Sequence, residues 1–443
     1  MMDTPLNNLS GGWQMGSMLA SVLIQDADVM ILDKPTNFLD LLGIIWLQRY
    51  LMDLRTSSPK NVVVVSYDRD FIDNLCEEII ILKNTTLQCF DGNLSAYEED
   101  LKLRRKNLMQ MKESQGKQIA HMEKTVAANI KAGKKHGDDN KLRQAVSRRK
   151  KIEDRMGFHD SKRKAIEIPP EEKGAALILP ITPDLRFPGP LVSLDQVGFA
   201  YSRKQENVLR DVSLSVYMGS CVGIVGLNGS GKSTLVKLIT DAVKPTKGSV
   251  TRHPRLKLGY YSQLAVEDLR AAGNADPSAT ALTTLAASAG DAMDEGDMCA
   301  LLGSFHLAGR TASDVPISKL SGGQLVRLAL ACIVWDHPHL LVLDEITTHL
   351  DFYTVVALAK ALRASNGAIV LVSHDRFLTK PVIEGDTELL GLEEDDSEDE
   401  EEEMAGKLRR NLYLLKGGGL KLLEHGVSDF EESLEKRVAK LSL

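Results

Sequence analysis

Residues 226–233 read Gly226-Leu227-Asn228-Gly229-Ser230-Gly231-Lys232-Ser233, directly after the short apolar run Val222–Val225. A strand, this glycine pattern and a following helix form the phosphate-loop arrangement, because glycines let several backbone N–H groups point at phosphate oxygens. The helix adds the positive end of its dipole. The context therefore predicts an α/β fold with a nucleoside triphosphate site, rather than a glycine-rich turn without a ligand.

The loop predicts roles for its own residues. The Lys232 ammonium can reach the β- and γ-phosphates, and the Ser233 hydroxyl can bind Mg²⁺. Other residues predicted to bind the nucleotide are Gly226, Leu227, Asn228, Gly229, Ser230, Gly231 and Thr234.

Three residues further along predict hydrolysis of the nucleotide. Asp344 ends the apolar run Leu340–Leu343, a position where a carboxylate supports Mg²⁺. Glu345 follows directly and can polarise an attacking water as a general base. His374 can contact the γ-phosphate and orient that water. We therefore predict that Glu345 and His374 are catalytic.

Two residues outside these motifs complete the predicted site. Gln263 follows Gly259-Tyr260-Tyr261-Ser262 and can contact Mg²⁺ and water, so Ser233, Gln263 and Asp344 are the predicted metal ligands. Tyr201 could stack on adenine, or it could equally be an aromatic residue of the core.

The chain contains an internal repeat. Leu9-Ser10-Gly11-Gly12 and Met30-Ile31-Leu32-Asp33 return later as Leu320-Ser321-Gly322-Gly323 and Val342-Leu343-Asp344. Further similar segments after both copies make coincidence implausible. Only the second copy is preceded by a phosphate loop.

The first copy also differs at the predicted catalytic positions. Lys34 stands where the second copy has Glu345, and Tyr67 stands where it has His374. A lysine is cationic at neutral pH and cannot be the general base. The differences fit either neutral drift or a non-catalytic site.

Together, Ser321-Gly322-Gly323-Gln324, Asp344-Glu345, Asp351 and His374 resemble the ATP-binding cassette superfamily. The tandem copies, a basic helical linker and the lack of membrane spans narrow the resemblance to the ABC-F family, the soluble branch associated with ribosomes and translation. The resemblance implies an α/β fold of P-loop NTPase cassettes, one partial and one complete, joined by a helical hairpin. It also implies ATP and Mg²⁺ as ligands and a cytoplasmic, or also nuclear, location.

The resemblance implies a composite ATP site. In this family the phosphate loop of one cassette faces the Ser-Gly-Gly loop of the other, so the Lys232 site would be completed by Ser10, Gly11 and Gly12. A second such site would need a phosphate loop in the first copy, which this sequence does not contain. We expect an N-terminally truncated gene or gene model, with an expressed fragment or a genuine short form as alternatives.

The resemblance and the composition predict four regions. They are a partial first cassette (1–93), a basic helical linker (94–165), a proline-rich connector (166–190) and a complete second cassette (191–443) with an acidic disordered insert at 393–403. We place the tip of the linker hairpin at the glycine-containing stretch 133–139 and a helical insert at the alanine-rich stretch 264–318.

The basic linker suggests a partner. Runs such as Arg104-Arg105-Lys106 within 101–164 could neutralise RNA phosphates, and the resemblance implies a reach toward tRNA and the ribosome. The alternative is a solvated hairpin whose charges only keep it soluble. The acidic run 393–403 is predicted to be a disordered loop, with a mask for the basic arm as the alternative.

Composition limits the remaining possibilities. The chain has 443 residues, a net charge of −7 and five scattered cysteines, which indicate a soluble protein of a reduced intracellular compartment. No apolar run approaches the roughly 18 residues that span a bilayer, and no secretory signal is visible. The rival functions are a non-catalytic ATP-binding module and the nucleotide subunit of a membrane transporter. The tandem copies and the basic hairpin argue against the transporter, so no membrane partner is expected.

Overall fold

The computed structural model describes residues 11–25, 27–37, 39–57, 61–83, 85–136, 143, 146–147, 176–186, 188–202, 206–386 and 410–441. Ser10 and the acidic run 393–403 lie outside these residues. The chain divides into two compact units, one of residues 1–71 and 173–443 and the other of residues 72–172.

The first unit begins with an α/β segment of the chain. Its elements are α1 (Gly11–Leu23), β1 (Val29–Asp33), α2 (Leu41–Ser57), β2 (Asn61–Val65) and the start of α3 (Arg69–Leu75). Strands β1 and β2 pair in parallel, from Val29 opposite Asn61 to Asp33 opposite Val65. Helix α2 connects the two strands.

The rest of the first unit contains two sheets. Their strands are β5 (Val192–Phe199), β6 (Leu209–Val216), β7 (Cys221–Val225), β8 (Lys247–Arg252), β9 (Leu258–Tyr261), β10 (Leu340–Asp344), β11 (Ala368–Val372), β12 (Arg410–Lys416) and β13 (Gly419–Leu423). The larger sheet has the order β13-β12-β7-β11-β10-β9, and only β13 is antiparallel to its neighbour. Strand β5 pairs with β6 and β8 in an antiparallel sheet.

Helices cover both faces of the larger sheet and continue away from it. They are α5 (Lys232–Ile239), α6 (Ala265–Ala275), α7 (Ala281–Ala289), α8 (Glu295–Ser304), α9 (Arg310–Ser313), α10 (Gly322–Val334), α11 (Phe352–Arg363), α12 (Arg376–Thr379) and α13 (Val427–Leu441). Helices α6–α9 confirm the helical insert predicted at 264–318.

The central strands of the larger sheet are fully buried, and α2 packs against the same core. Every residue of β7, β10 and β11 is buried, as expected for parallel strands that are covered on both faces. Leu41 of α2 belongs to the same apolar cluster as Leu343 and Leu371 of the large sheet, and α2 packs against α13. Residues of α2 are therefore packed onto the α/β region formed by residues 191–386 and 410–441.

The internal repeat is visible in the strands. Strands β10 and β11 pair in the same register as β1 and β2, with Asp344 opposite Val372. The two strand pairs differ in the exposure of one face. The four side chains on this face of β1 and β2 are between 41% and 70% exposed. They are Val29, Ile31, Val63 and Val65. The equivalent residues of β10 and β11 are buried.

The described part of the predicted connector, residues 176–186, contacts the α/β region that follows it. Residues 176–186 form neither helix nor strand. Thr182 N–H donates to Asn366 Oδ1 at 2.9 Å, and Asn366 Nδ2 donates back to the Thr182 carbonyl at 2.8 Å. The connector therefore has defined contacts in this stretch.

The second unit contains a hairpin and a long helix. Strands β3 (Glu78–Lys83) and β4 (Thr86–Asp91) pair antiparallel, and α4 runs from Leu94 to His136. The predicted break at 133–139 was wrong in its first half, because α4 continues through Gly133 to His136. The rest of the predicted tip and the second helix of the predicted helical hairpin lie largely outside the described residues. Among the helices that the structure describes, none is long and apolar enough to cross a membrane.

Candidate active site

The phosphate loop joins β7 to α5, as the sequence predicted. Gly229 and Gly231 have φ angles of 77° and 105°, in the left-handed region that side chains rarely adopt. A Cβ atom at Gly231 would also lie 3.0 Å from Val208 Cγ1. Glycine at 231 thus satisfies both the backbone angle and the close approach of β6.

Lys232 is buried beneath this loop. Its Nζ donates to the carbonyl oxygens of Gly226, at 2.8 Å, and Leu227, at 3.3 Å. Burial lowers the pKa of Lys232, while Glu345 and other nearby carboxylates raise it. The loop carbonyls therefore hold the lysine side chain in place.

His374 and Glu345 converge on Lys232. His374 Nε2 lies 3.0 Å from Lys232 Nζ and 3.4 Å from Glu345 Oε1. Burial and the Lys232 charge hold the pKa of His374 well below its usual value, so the imidazole is neutral and Nε2 can accept from Lys232. Burial raises the pKa of Glu345 to about 8, against the opposing effect of Lys232.

Glu345 has an unusual backbone. Its φ is 54°, and its N–H donates to the Val372 carbonyl at 2.8 Å. Thr348 Oγ1 donates to the Glu345 carbonyl at 3.0 Å. These bonds fix the residue at the end of β10, so that its carboxylate reaches His374.

The residues predicted to bind Mg²⁺ offer oxygen atoms that suit this ion. Asp344 is buried and bonded to the Ser233 hydroxyl; burial raises its pKa to about 6, and Lys232 opposes the shift. Ser233, Gln263 and Asp344 all line one cavity. Hydroxyl, amide and carboxylate oxygens are ligands that Mg²⁺ accepts, usually together with substrate phosphates. Within the described residues no group of three or more His, Cys, Asp or Glu could hold a metal alone.

The cavity has a volume of about 520 Å³ and two walls. One wall is formed by residues after 191 and includes the phosphate loop, Glu345 and His374. The other belongs to the N-terminal segment; its residues are Thr36, Asn37, Leu39, Leu41, Ile44, Tyr67, Asp68 and Asp70. The site is thus formed by both copies of the repeat.

Asp40 connects the two walls. Its Oδ2 accepts from the Asn228 N–H of the phosphate loop at 2.9 Å, and its Oδ1 accepts from Gly43 N–H in the first turn of α2. The sequence reasoning assigned Asp40 no role. Asp40 is equivalent in the repeat to Asp351, which caps α11 through Thr354. This equivalence indicates that Asp40 also caps a helix.

Tyr201 lies at the rim of the cavity. Its ring meets Phe199 edge-on at 5.0 Å, its hydroxyl is 3.0 Å from Thr234 Oγ1, and it is 57% exposed. The exposed ring is available to a planar ligand, whereas Phe199 beside it is buried.

Lys34 of the first copy has the same backbone conformation as Glu345, its equivalent in the second copy. Lys34 has a φ of 51°, and its N–H donates to the Val65 carbonyl at 2.7 Å. Its ammonium lies over the Tyr67 ring. The two replaced residues therefore contact each other, as Glu345 and His374 do.

The two Ser-Gly-Gly loops are described to different extents. Ser321 caps α10, and its Oγ accepts from Gln324 N–H at 3.3 Å. Gly11 and Gly12 begin α1, whereas Ser10 lies outside the described residues. The contribution of Ser10, Gly11 and Gly12 to the site stays a prediction.

Known proteins share these features. Residues 209–348 and 80–173 match two family models, both described as ABC transporter. ABC transporter F family member 4 of Arabidopsis thaliana is 35% identical over 375 residues, which are 85% of this chain. ATP-binding cassette sub-family F member 2 of Mus musculus is 32% identical over 382 residues, 86% of this chain. The chain belongs to the ABC-F family.

This ABC-F chain spans about half the length of these relatives, 50% and 57% respectively. A solved structure, that of the archaeal ribosome recycling factor aABCE1 in complex with the ribosomal stalk protein aP1, is similar with a TM-score of 0.51 at 17% identity. The similarity covers 97% of this chain and 67% of that chain. The comparisons confirm the predicted family and the α/β P-loop cassette fold.

Proposed function

We propose that this ABC-F chain binds ATP with Mg²⁺ at the Lys232 site and hydrolyses it. The observation that carries the proposal is the position of His374 at the end of the phosphate loop, where its Nε2 lies 3.0 Å from Lys232 Nζ and 3.4 Å from Glu345 Oε1. Phosphoryl transfer to water uses cations at the phosphates and side chains that orient the attacking water and take its proton, and this set of side chains can supply both.

Each group has a distinct task. Lys232 and the loop N–H groups bind the β- and γ-phosphates, and the exposed ring of Tyr201 stacks on adenine. Mg²⁺, held by Ser233, Gln263 and Asp344, would neutralise charge on the phosphate oxygens. Glu345 takes the proton of the attacking water, and His374 contacts the γ-phosphate and orients that water.

The N-terminal segment closes the site from the other side. Its wall residues line the same cavity, and Asp40 bonds directly to the phosphate loop. We propose that Ser10, Gly11 and Gly12 present a hydroxyl and helix N–H groups to the γ-phosphate. In this proposal residues 1–93 are a partial cassette and residues 191–443 a complete one, with one composite ATP site.

The test is the ATPase rate of the full chain and of Glu345→Gln. We expect the substitution to lower kcat about 10²- to 10⁴-fold, because it removes the general base while preserving shape. Lys34→Gln is the matched control, since Lys34 has the same backbone conformation but no base to lose. Equal rates for the wild type and Glu345→Gln would contradict hydrolysis by this site.

A second candidate is a non-catalytic ATP-binding module. It is favoured by the burial of Glu345, whose pKa of about 8 leaves the carboxyl largely protonated at neutral pH without nucleotide. This module would bind ATP with dependence on Lys232 but show no turnover above that of Glu345→Gln.

We also propose that the basic linker binds RNA on the ribosome or another ribonucleoprotein, in the cytoplasm. Support comes from the exposed, mainly polar helix α4, which carries Arg104-Arg105-Lys106, and from the structural relative whose name describes ribosome recycling. Binding to purified ribosomes should weaken steeply with salt and be lost on deletion of 101–164. Binding that is unaffected by salt or by the deletion would exclude this role.

A further inference from the structure

Two arginines occupy equivalent positions in the two copies of the repeat. Arg69 follows Ser66-Tyr67-Asp68, and Arg376 follows Ser373-His374-Asp375. The N-terminal segment, residues 11–71, is in contact with the region after residue 191. Arg376 extends from that region to the N-terminal segment, and Arg69 extends from the N-terminal segment to that region.

Arg376 reaches toward the N-terminal segment. Its Nη1 lies 3.0 Å from Asp70 Oδ2, and its Nε lies 2.7 Å from Glu431 Oε1 on α13. All three side chains are partly buried, so salt screens these ion pairs less than it screens exposed ones. A planar guanidinium held by two carboxylates on different elements has little freedom to move.

Arg69 reaches the second cassette at the same place. Its guanidinium lies 4.0 Å above the centre of the Phe352 ring. Phe352 meets Phe377 edge-on at 5.5 Å, and Phe377 directly follows Arg376 in the chain. Both arginine contacts therefore converge on the turn that contains His374.

This turn is internally bonded. Asp375 N–H donates to Ser373 Oγ at 3.0 Å, and Phe377 N–H donates to Asp375 Oδ1 at 2.8 Å. Because these bonds stiffen the turn, a displacement of Arg376 would be passed to His374, two residues earlier. The His374 ring itself contacts Lys232 and Glu345 through Nε2.

We infer that Asp70 is a positioning residue for the ATP site, and that it acts through Arg376 to hold His374 in place. The inference rests on the proposed function, because it concerns the same site. It assigns to the N-terminal segment a contribution that does not depend on the Ser-Gly-Gly loop. Asp70 itself would not touch the reacting atoms.

The test is a double-mutant cycle between Asp70→Ala and His374→Ala in the full chain. We expect Asp70→Ala to lower kcat about ten- to hundredfold with a small change in KM, since a misplaced orienting group affects the transition state most. The double variant should be no slower than His374→Ala, because Asp70 acts through that residue. Asp70→Glu should restore part of the rate.

Glu432→Ala is the matched control, since Glu432 pairs with Lys436 on the exposed face of α13 and should leave kcat unchanged. Wild-type kcat in Asp70→Ala, or losses that multiply in the double variant, would overturn the inference.

A second measurement separates this inference from the proposed function. Amide exchange of Asp375 and Phe377 is measured without nucleotide in the wild type and in Asp70→Ala. We expect at least about tenfold faster exchange in the variant, because loss of the Arg376 contact loosens the turn. Unchanged exchange overturns the inference. A wild-type chain without ATPase activity overturns only the proposed function, and the exchange result then decides the structural inference by itself.

Discussion

The Lys34 ammonium lies 4.7 Å from the centre of the Tyr67 ring, and these residues occupy the positions of Glu345 and His374 in the second copy. A cation–π contact thus replaces the contact between a carboxylate and an imidazole. The replacement preserves a side-chain contact at this position but places a cation where the second copy has a carboxylate. The N-terminal segment therefore contributes a wall and bonds to the site, but no base at this position.

The first prediction concerns this contact. Lys34→Ala should lower the free energy of unfolding by about 0.5–1 kcal/mol, the usual strength of a partly exposed cation–π contact, and leave ATP turnover unchanged. Urea denaturation and a steady-state ATPase assay measure the two effects. A large loss of turnover would mean that Lys34 acts in the reaction, contrary to the proposed division of roles.

The second prediction concerns Asp40. Asp40→Ala removes both the cap of α2 and the acceptor for Asn228 N–H, whereas Asp351→Ala removes the cap of α11 and a negative charge near Arg327. A hydrogen bond to a charged group contributes about 1.5–3 kcal/mol and a helix cap about 1 kcal/mol. We expect Asp40→Ala to lower the free energy of unfolding by about 1.5–3 kcal/mol more than Asp351→Ala does, because the cap is common to both. Equal losses in denaturant titrations would show that the hydrogen bond from Asn228 N–H to Asp40 adds no stability.

The third prediction is a pH dependence of stability without nucleotide. The pKa of Glu345 is about 8 in the folded chain, because the carboxyl is buried, and near the ordinary glutamate value of 4.5 when the chain is unfolded. Between these values the folded state binds more protons, so the free energy of unfolding falls as pH rises through this window.

Glu345→Gln removes this contribution. The stability of the wild type relative to Glu345→Gln should fall by an amount on the order of a few kcal/mol between pH 5 and pH 9, by linkage. Glu432→Gln, at an exposed site, is the control and should follow the wild type. Parallel curves for the wild type and Glu345→Gln would contradict the effect assigned to burial.

The fourth prediction compares equivalent strands. Strands β1 and β2 form a two-stranded sheet with one exposed apolar face, whereas β10 and β11 are covered on both faces. Amides of β1 and β2 should exchange at least about tenfold faster, because isolated strand pairs open readily. Hydrogen exchange with mass spectrometry measures both pairs in one experiment. Similar protection of the two pairs would exclude this difference in local stability.

Sequence reasoning located the parts of the site that are local in the chain. The phosphate loop, the strand ending at Asp344 and the turn at His374 each have a short pattern with a physical reason. The bond from Asp40 to Asn228 and the ion pair from Asp70 to Arg376 join residues that are far apart in the chain, and no local pattern encodes such a pairing. The predicted break at Gly133 failed for a different reason, since a single glycine within a long charged helix is tolerated.

The shared left-handed backbone of Lys34 and Glu345 has an evolutionary consequence. A non-glycine residue in this conformation costs roughly 1 kcal/mol or more, so it persists only where the surrounding structure imposes it. Here the end of a parallel strand pair imposes it twice, on a lysine and on a glutamate alike. Codons for these two amino acids differ by one base. A single point mutation can therefore exchange a carboxylate for a cation at this position without any rearrangement of the main chain.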